Sequence, residues 1–242
     1  MSTVTTNQPP LSLHDFARIH GVVQTVLAGV GIKNADIQKS CIFFALAGAY
    51  LLECKHGIRT SPQAGAAFLV VGKRKDTLDI LTFAKWDDAE STWYSDESAF
   101  HAWVEVVSDD EQQWLIDFTA PMYPDAIRSL VPGAVVPSKA FVRSKAEMLS
   151  HPDELPFATP GDFFLNPSPA HTAHMMQRAA RDEQLGDLMD LLNHWYVRHP
   201  ERIAPSLHMK SNSGTTRRLT FTQPRLAGYW SSPPLKAISK DS

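Results

Sequence analysis

From Ser40 to Leu52 the chain reads SCIFFALAGAYLL, apolar on every side of a helical wheel. A helix of that kind is buried all round rather than laid on a surface, so the rest of the chain must supply a cover on each of its faces. At 12 residues, the uncharged apolar run Cys41–Leu52 is too short for a bilayer, which needs roughly 20. Its small residues, Ala45 and Gly48, let a sheet approach closely, and its cysteine stands at the beginning. A thiol there meets the positive end of the helix dipole and unpaired backbone N–H groups, which favour a thiolate and can receive an oxyanion. Free cysteines are more often simply buried small hydrophobes, so the position alone does not decide a role for Cys41.

Elements are legible on both sides of this segment. Ser12 with Asp15 three residues on, then Phe16, Ile19, Val23, Val26 and Leu27, predicts an amphipathic helix over 11–31 stopped by Gly31. Asn34 offers an N-cap for the buried helix, which should run to about Lys55 and end at His56-Gly57. Four β-type segments follow: 66–71, 78–84, 100–107 and 113–118. The polar stretch 108–112 makes the last two an antiparallel hairpin. Of 17 prolines, 14 lie beyond residue 120, so the second half should run mostly as loop, with a short helix over 138–149 and a long one over 172–197. Residues 205–242, with six Lys or Arg and one Asp, read as a basic extended tail. The expected organisation is one α+β domain over 11–204, with a core over about 35–121 and a Pro-rich wrapping half over 122–204.

Within that hairpin, strand alternation puts His101, Trp103 and Glu105 on one face of FHAWVEV. A turn near 109–110 sets Asp117 opposite or diagonal to His101, on the same side. A carboxylate beside imidazole fixes its tautomer and supports the imidazolium that a thiol proton creates. Nucleophile at a helix start, base on one strand and orienter on the next make an activated-nucleophile site. Gln38, three residues before Cys41, is the candidate side-chain oxyanion donor, ahead of Gln24 on the preceding helix. Trp93, in the loop leading to His101, and Trp103 are candidate cleft walls, with core packing the competing assignment for each.

The ordered set Cys41-x3-Ala45, Gly57-Ile58-Arg59, His101-Ala102-Trp103 and Ile116-Asp117-Phe118-Thr119 resembles the transglutaminase-like branch of the papain-like cysteine peptidase superfamily, over about residues 35–121. The resemblance implies a papain-like α+β core in which the buried helix packs on an antiparallel sheet. It also implies Cys41 as nucleophile, His101 as base and acid, and Asp117 as orienter, with no cofactor. Lys39-Ser40-Cys41-Ile42-Phe43 replaces the R-G-G-x-C-F-E motif of arylamine N-acetyltransferases, which argues against acetyl-CoA. No counterpart of the animal transglutaminase calcium sites is visible. The expected activity is cysteine peptidase- or amidase-like hydrolysis of a peptide or small amide substrate. Acyl transfer to an amine and an inactive binding module remain alternatives.

Other classes fit poorly. With 23 basic and 26 acidic residues, the chain has no general attraction to nucleic acid or anionic membrane. The first ten residues lack a secretory pattern, so a cytoplasmic location is expected. Cys41 and Cys54 on one helix lie roughly 20 Å apart, too far for a disulfide. His171 with His174, and His194 with His199, have spacings that invite a metal, but three or four convergent ligands are needed. These histidines read as solvated, and no metal is expected.

Overall fold

In a computed structural model, the structure describes residues 8–30, 40–75, 77–108, 111–124, 127, 140–198, 204–210 and 214–220. Helix α1 spans Leu13–Gly29, with the Ser12 hydroxyl accepting from the Asp15 N–H at 3.1 Å as its cap spacing predicts. Helix α2 spans Cys41–Leu51 and continues into a π-helical turn, Leu52–His56. Gly57 ends it in the left-handed region (φ 67°), where glycine carries no Cβ penalty. The expected stop is therefore found. The expected start is corrected: the buried helix begins at Cys41 with Ser40, not Asn34, at its N-cap position. The stop expected for α1 at Gly31 and the candidate donor Gln38 lie outside the described residues.

The fold is α+β. Strands β1 (Thr60–Arg74), β2 (Thr77–Phe83), β3 (Lys85–Asp87), β4 (Thr92–Tyr94), β5 (His101–Val107), β6 (Gln113–Asp117), β7 (Phe141–Ser144) and β8 (Phe163–Pro167) precede helices α3 (Pro169–Arg181) and α4 (Glu183–Val197). Strands β9 (Ser206–Lys210) and β10 (Thr216–Thr220) follow. The main sheet is antiparallel, in order β2-β1-β5-β6-β7, with β8 also on β1. Strand β1 is long enough to serve two partners: Thr60–Gly65 pairs β5 and Ala67–Arg74 pairs β2. At Gly65 the β8 backbone leaves no room for a side chain, since a Cβ there would fall 2.1 Å from the Asn166 carbonyl oxygen.

Both faces of the sheet are buried. Ala64, Ala102, Val104, Val106, Trp114 and Ile116 share one core with α1, α2 and α4. Ala67, Leu69, Trp103, Leu115, Phe163 and Leu165 form a second core on the opposite face. Gly48 earns its place on α2, because the Phe118 ring occupies the space its side chain would fill, with Cδ2 2.2 Å from a built Cβ. Phe118 in turn stacks on Phe16 of α1, with ring centroids 5.1 Å apart.

Several expectations are corrected. Residues 138–149 do not form the expected short helix: β7 and a 3-10 turn at Lys145–Glu147 lie there, because Phe141–Ser144 finds an open edge on β6. The stretch 150–170 is not wholly loop, since Phe163–Pro167 pairs with β1. The helix expected over 172–197 is two helices, divided at Asp182, whose side chain caps α4 by accepting from the N–H groups of Gln184 and Leu185. The loop between 85 and 99 holds the small β3–β4 hairpin. Within the basic tail, β9 and β10 pair, and Leu219 is buried in the helical core. Among the described residues no helix is long and apolar enough to cross a membrane.

Candidate active site

The β5–β6 register decides how His101 and Asp117 meet. Val104 lies opposite Ile116 and Glu105 opposite Leu115, which sets Asp117 diagonal to His101 on the same face. The His101 Nε2–Asp117 Oδ2 distance is 2.9 Å. Both side chains are buried, His101 at 2% and Asp117 at 3% exposure. Every lobe of the carboxylate is engaged. Oδ1 accepts from the Thr119 N–H at 2.8 Å and from its hydroxyl at 2.5 Å, and Oδ2 accepts from His101 and from the Tyr123 hydroxyl. The Tyr123 oxygen also lies 3.0 Å from His101 Nε2. Phe83 stacks on the imidazole with centroids 4.6 Å apart.

Electrostatics follow from this packing. Burial pushes the His101 pKa down, but the charge and hydrogen bond of Asp117, with a further contribution from Cys41, outweigh it and raise the pKa to about 10. Burial pushes the Asp117 carboxyl up, while His101 and the donors Thr119 and Tyr123 outweigh it and hold the carboxyl below its ordinary value. Burial and the Asp117 charge keep Tyr123 protonated far above its usual range, so its hydroxyl is a donor to the carboxylate.

Cys41 is the first residue of α2 and is 8% exposed. It is close enough to interact with the His101 ring. Nδ1, the nitrogen not committed to Asp117, nevertheless has no partner in hydrogen-bonding geometry. Ser40 makes no side-chain cap on α2, so the first-turn N–H groups beside the thiol are not claimed by one. The three residues singled out in the sequence thus come together from three elements. Gln24 instead interacts with His20.

The two tryptophans do not wall this site. Trp103 shares the face of His101, yet at 1% exposure it is a core residue among Ala67, Leu69, Leu115 and Phe163. Trp93 packs edge-on against Phe68 and Trp86, at 5.1 and 5.3 Å, and borders grooves with Pro152 and Asp153 rather than with Cys41.

Sequence reading missed Tyr123, which reaches the pair through the 3-10 turn Ala120–Met122. It also missed His20, whose buried Nδ1–H donates to the Phe118 carbonyl at 2.8 Å, one residue past Asp117. Burial lowers the His20 pKa, so the ring is a neutral tether. No short spacing links either residue to the triad. A second correction concerns His171: it is half-buried, 3.0 Å from the Ser95 hydroxyl and tilted against Phe100. His174 has an acidic neighbour, Glu97, at 3.9 Å. Among the described residues no three His, Cys, Asp or Glu side chains group to hold a metal.

A family model described as "Protein of unknown function (DUF2026)" matches residues 12–230. The chain belongs to this family. A solved structure described as "The crystal structure of genomics APC5867" is similar to this DUF2026 chain, with 26% identity, a TM-score of 0.67, and coverage of 93% of this chain and 100% of that one. No curated protein matches. The DUF2026 match takes in Cys41, His101, Asp117 and Tyr123 together with the second half of the chain.

Proposed function

We propose that this DUF2026 protein is a cysteine hydrolase of peptidase or amidase type, built on a papain-like core and acting through a thioester. The observation that carries this reading is the division of labour on one imidazole: Nε2 is fixed to Asp117, while Nδ1 is unpartnered and the ring lies beside Cys41 at a helix start. Contacts of this kind are often loose in an unliganded enzyme and tighten around substrate.

The chemistry closes with these groups alone. With the Cys41 proton already held on Nδ1 as a thiolate–imidazolium pair, the sulfur lone pair forms an S–C bond to the amide carbonyl. The C=O π pair moves onto oxygen, where the α2 N–H groups receive it. As the tetrahedral species collapses, the C–N bond breaks and Nδ1 returns its proton to the leaving amine. Water then attacks the thioester, giving a proton to Nδ1. The S–C bond breaks, and the acid and the free cysteine are regenerated. Asp117 stays ionised throughout and stabilises the imidazolium. An amine in place of water gives transfer. Hydrolysis is favoured because the sequence carries no coenzyme-binding motif of the acetyltransferase kind.

The test is alkylation of the native protein by iodoacetamide from acid to mildly alkaline pH, with Cys41 and Cys54 read separately by mass spectrometry. Support is faster reaction at Cys41 than at the exposed Cys54 at neutral pH, lost in His101→Ala, followed by turnover in an amide and peptide screen. A Cys41 that reacts only after unfolding overturns the reading.

A further inference from the structure

A cleft of about 140 Å³ is lined by Ile42, Glu97, Phe100, His171, His174, Met175 and Arg178. Two of these residues are chain neighbours of the reacting groups, Ile42 following Cys41 and Phe100 preceding His101, although no side chain of the triad itself lines the cleft. The opposite wall is one stripe of α3: positions 171, 174, 175 and 178 follow helical spacing. Along that stripe the chemistry is graded. Ile42, Phe100 and the buried Met175 are apolar, His171 is held by Ser95, and Arg178 stands two turns on from His171, about 10 Å along the axis. Glu97 is the acidic residue of the lining and lies by His174. Arg178 pairs with no carboxylate among the described residues.

We propose that this cleft is the substrate subsite and that it selects amides bearing an apolar stem and a carboxylate remote from the scissile carbonyl, with the carboxylate at Arg178. This rests on the reading of Cys41 as nucleophile and adds the substrate class to it. The apolar floor of Ile42, Phe100 and Met175 accepts the stem, and the two-turn offset of Arg178 holds the charge away from the carbonyl under attack. There a carboxylate would otherwise compete with the developing oxyanion for the same N–H groups. Glu97 disfavours an anion placed near His174, which leaves the Arg178 end as the favourable place.

The test uses two haloacetamide probes of equal length, N-hexyl iodoacetamide and N-iodoacetyl-6-aminohexanoic acid, with rates read at Cys41 and Cys54 by mass spectrometry. The carboxylated probe is expected to label Cys41 about fivefold faster than the neutral one, the ratio supplied by an exposed ion pair of about 1 kcal/mol. The preference should vanish in Arg178→Gln, invert in Arg178→Glu, and shrink at high salt, with Cys54 indifferent throughout. Equal rates in the native protein, or a preference that survives Arg178→Gln, overturn the subsite while leaving the nucleophile standing. Inertness of Cys41 to both probes, with Cys54 labelled, overturns the nucleophile and the subsite with it.

Discussion

Asp117 has four donors around two oxygens: the N–H and hydroxyl of Thr119, His101 Nε2 and the Tyr123 hydroxyl. An amide in its place cannot satisfy that set, because its NH2 must face a donor. Turned toward His101, the NH2 makes Nε2 an acceptor and puts the ring proton on Nδ1, where it blocks uptake of the thiol proton. Asp117→Asn is therefore expected to keep a folded protein by circular dichroism yet lower turnover by about 10⁴-fold, as amide replacement of the orienter does in a serine triad. Unchanged turnover would remove Asp117 from the mechanism. Tyr123→Phe keeps the ring and removes one donor to a buried carboxylate. That should cost roughly 1.5–3 kcal/mol of stability by urea denaturation while changing Cys41 alkylation by about tenfold at most, because His101 and the two Thr119 donors still hold the carboxylate.

At the scale of elements, the site depends on how closely α2 lies on the sheet. Gly48 admits the Phe118 ring, and Phe118 is the residue that His20 tethers immediately after Asp117. Gly48→Ala adds a methyl where the ring already is, an overpacking of roughly 1–3 kcal/mol that helix propensity offsets by about 1 kcal/mol at most. A lower thermal midpoint and slower Cys41 alkylation are expected together, with both partly restored by adding Phe118→Leu. A variant as stable and reactive as the parent would show that the ring has somewhere else to go. These contacts mark the border of what the sequence reveals. Local periodicity displays α1, α2 and the β5–β6 hairpin, and the hairpin register alone aligns His101 with Asp117. Strand β8 is invisible until β1 is available to pair with it, because FFLNP sits among prolines that argue for loop. Asp182 reads as one more polar residue in a helix until its side chain is seen capping α4. Tyr123 and His20 meet the triad only through tertiary packing, so no spacing along the chain announces them. Trp103 lies on the expected face, but alternation cannot distinguish a wall from a core when both faces of a sheet are covered.

For the whole molecule, the buried ionisable groups bracket a pH window. The folded-state pKa of His101 is raised from 6.5 to about 10. Its contribution is fully present below pH 6.5 and is lost as pH rises toward 10, because over that range the folded state holds a proton that the unfolded chain has released. His20 and His56 run the other way, each lowered from 6.5 chiefly by burial. Below pH 6.5 the unfolded chain binds protons that these rings refuse, so stability falls with pH there. Asp117, held below its ordinary 3.8, adds a further loss once acid protonates it. Stability should therefore peak near pH 6.5 and decline on both sides, as read by urea midpoints across the range. Each limb belongs to identified side chains. His101→Gln should flatten the alkaline limb and leave the acid limb in place. His20→Gln, whose amide can still donate to the Phe118 carbonyl, should shallow the acid limb without touching the alkaline one. An alkaline limb that persists in His101→Gln would mean that the His101–Asp117 pair is not ionised in the folded protein. In that case the imidazolium on which the proposed chemistry relies would lack its stabilising partner.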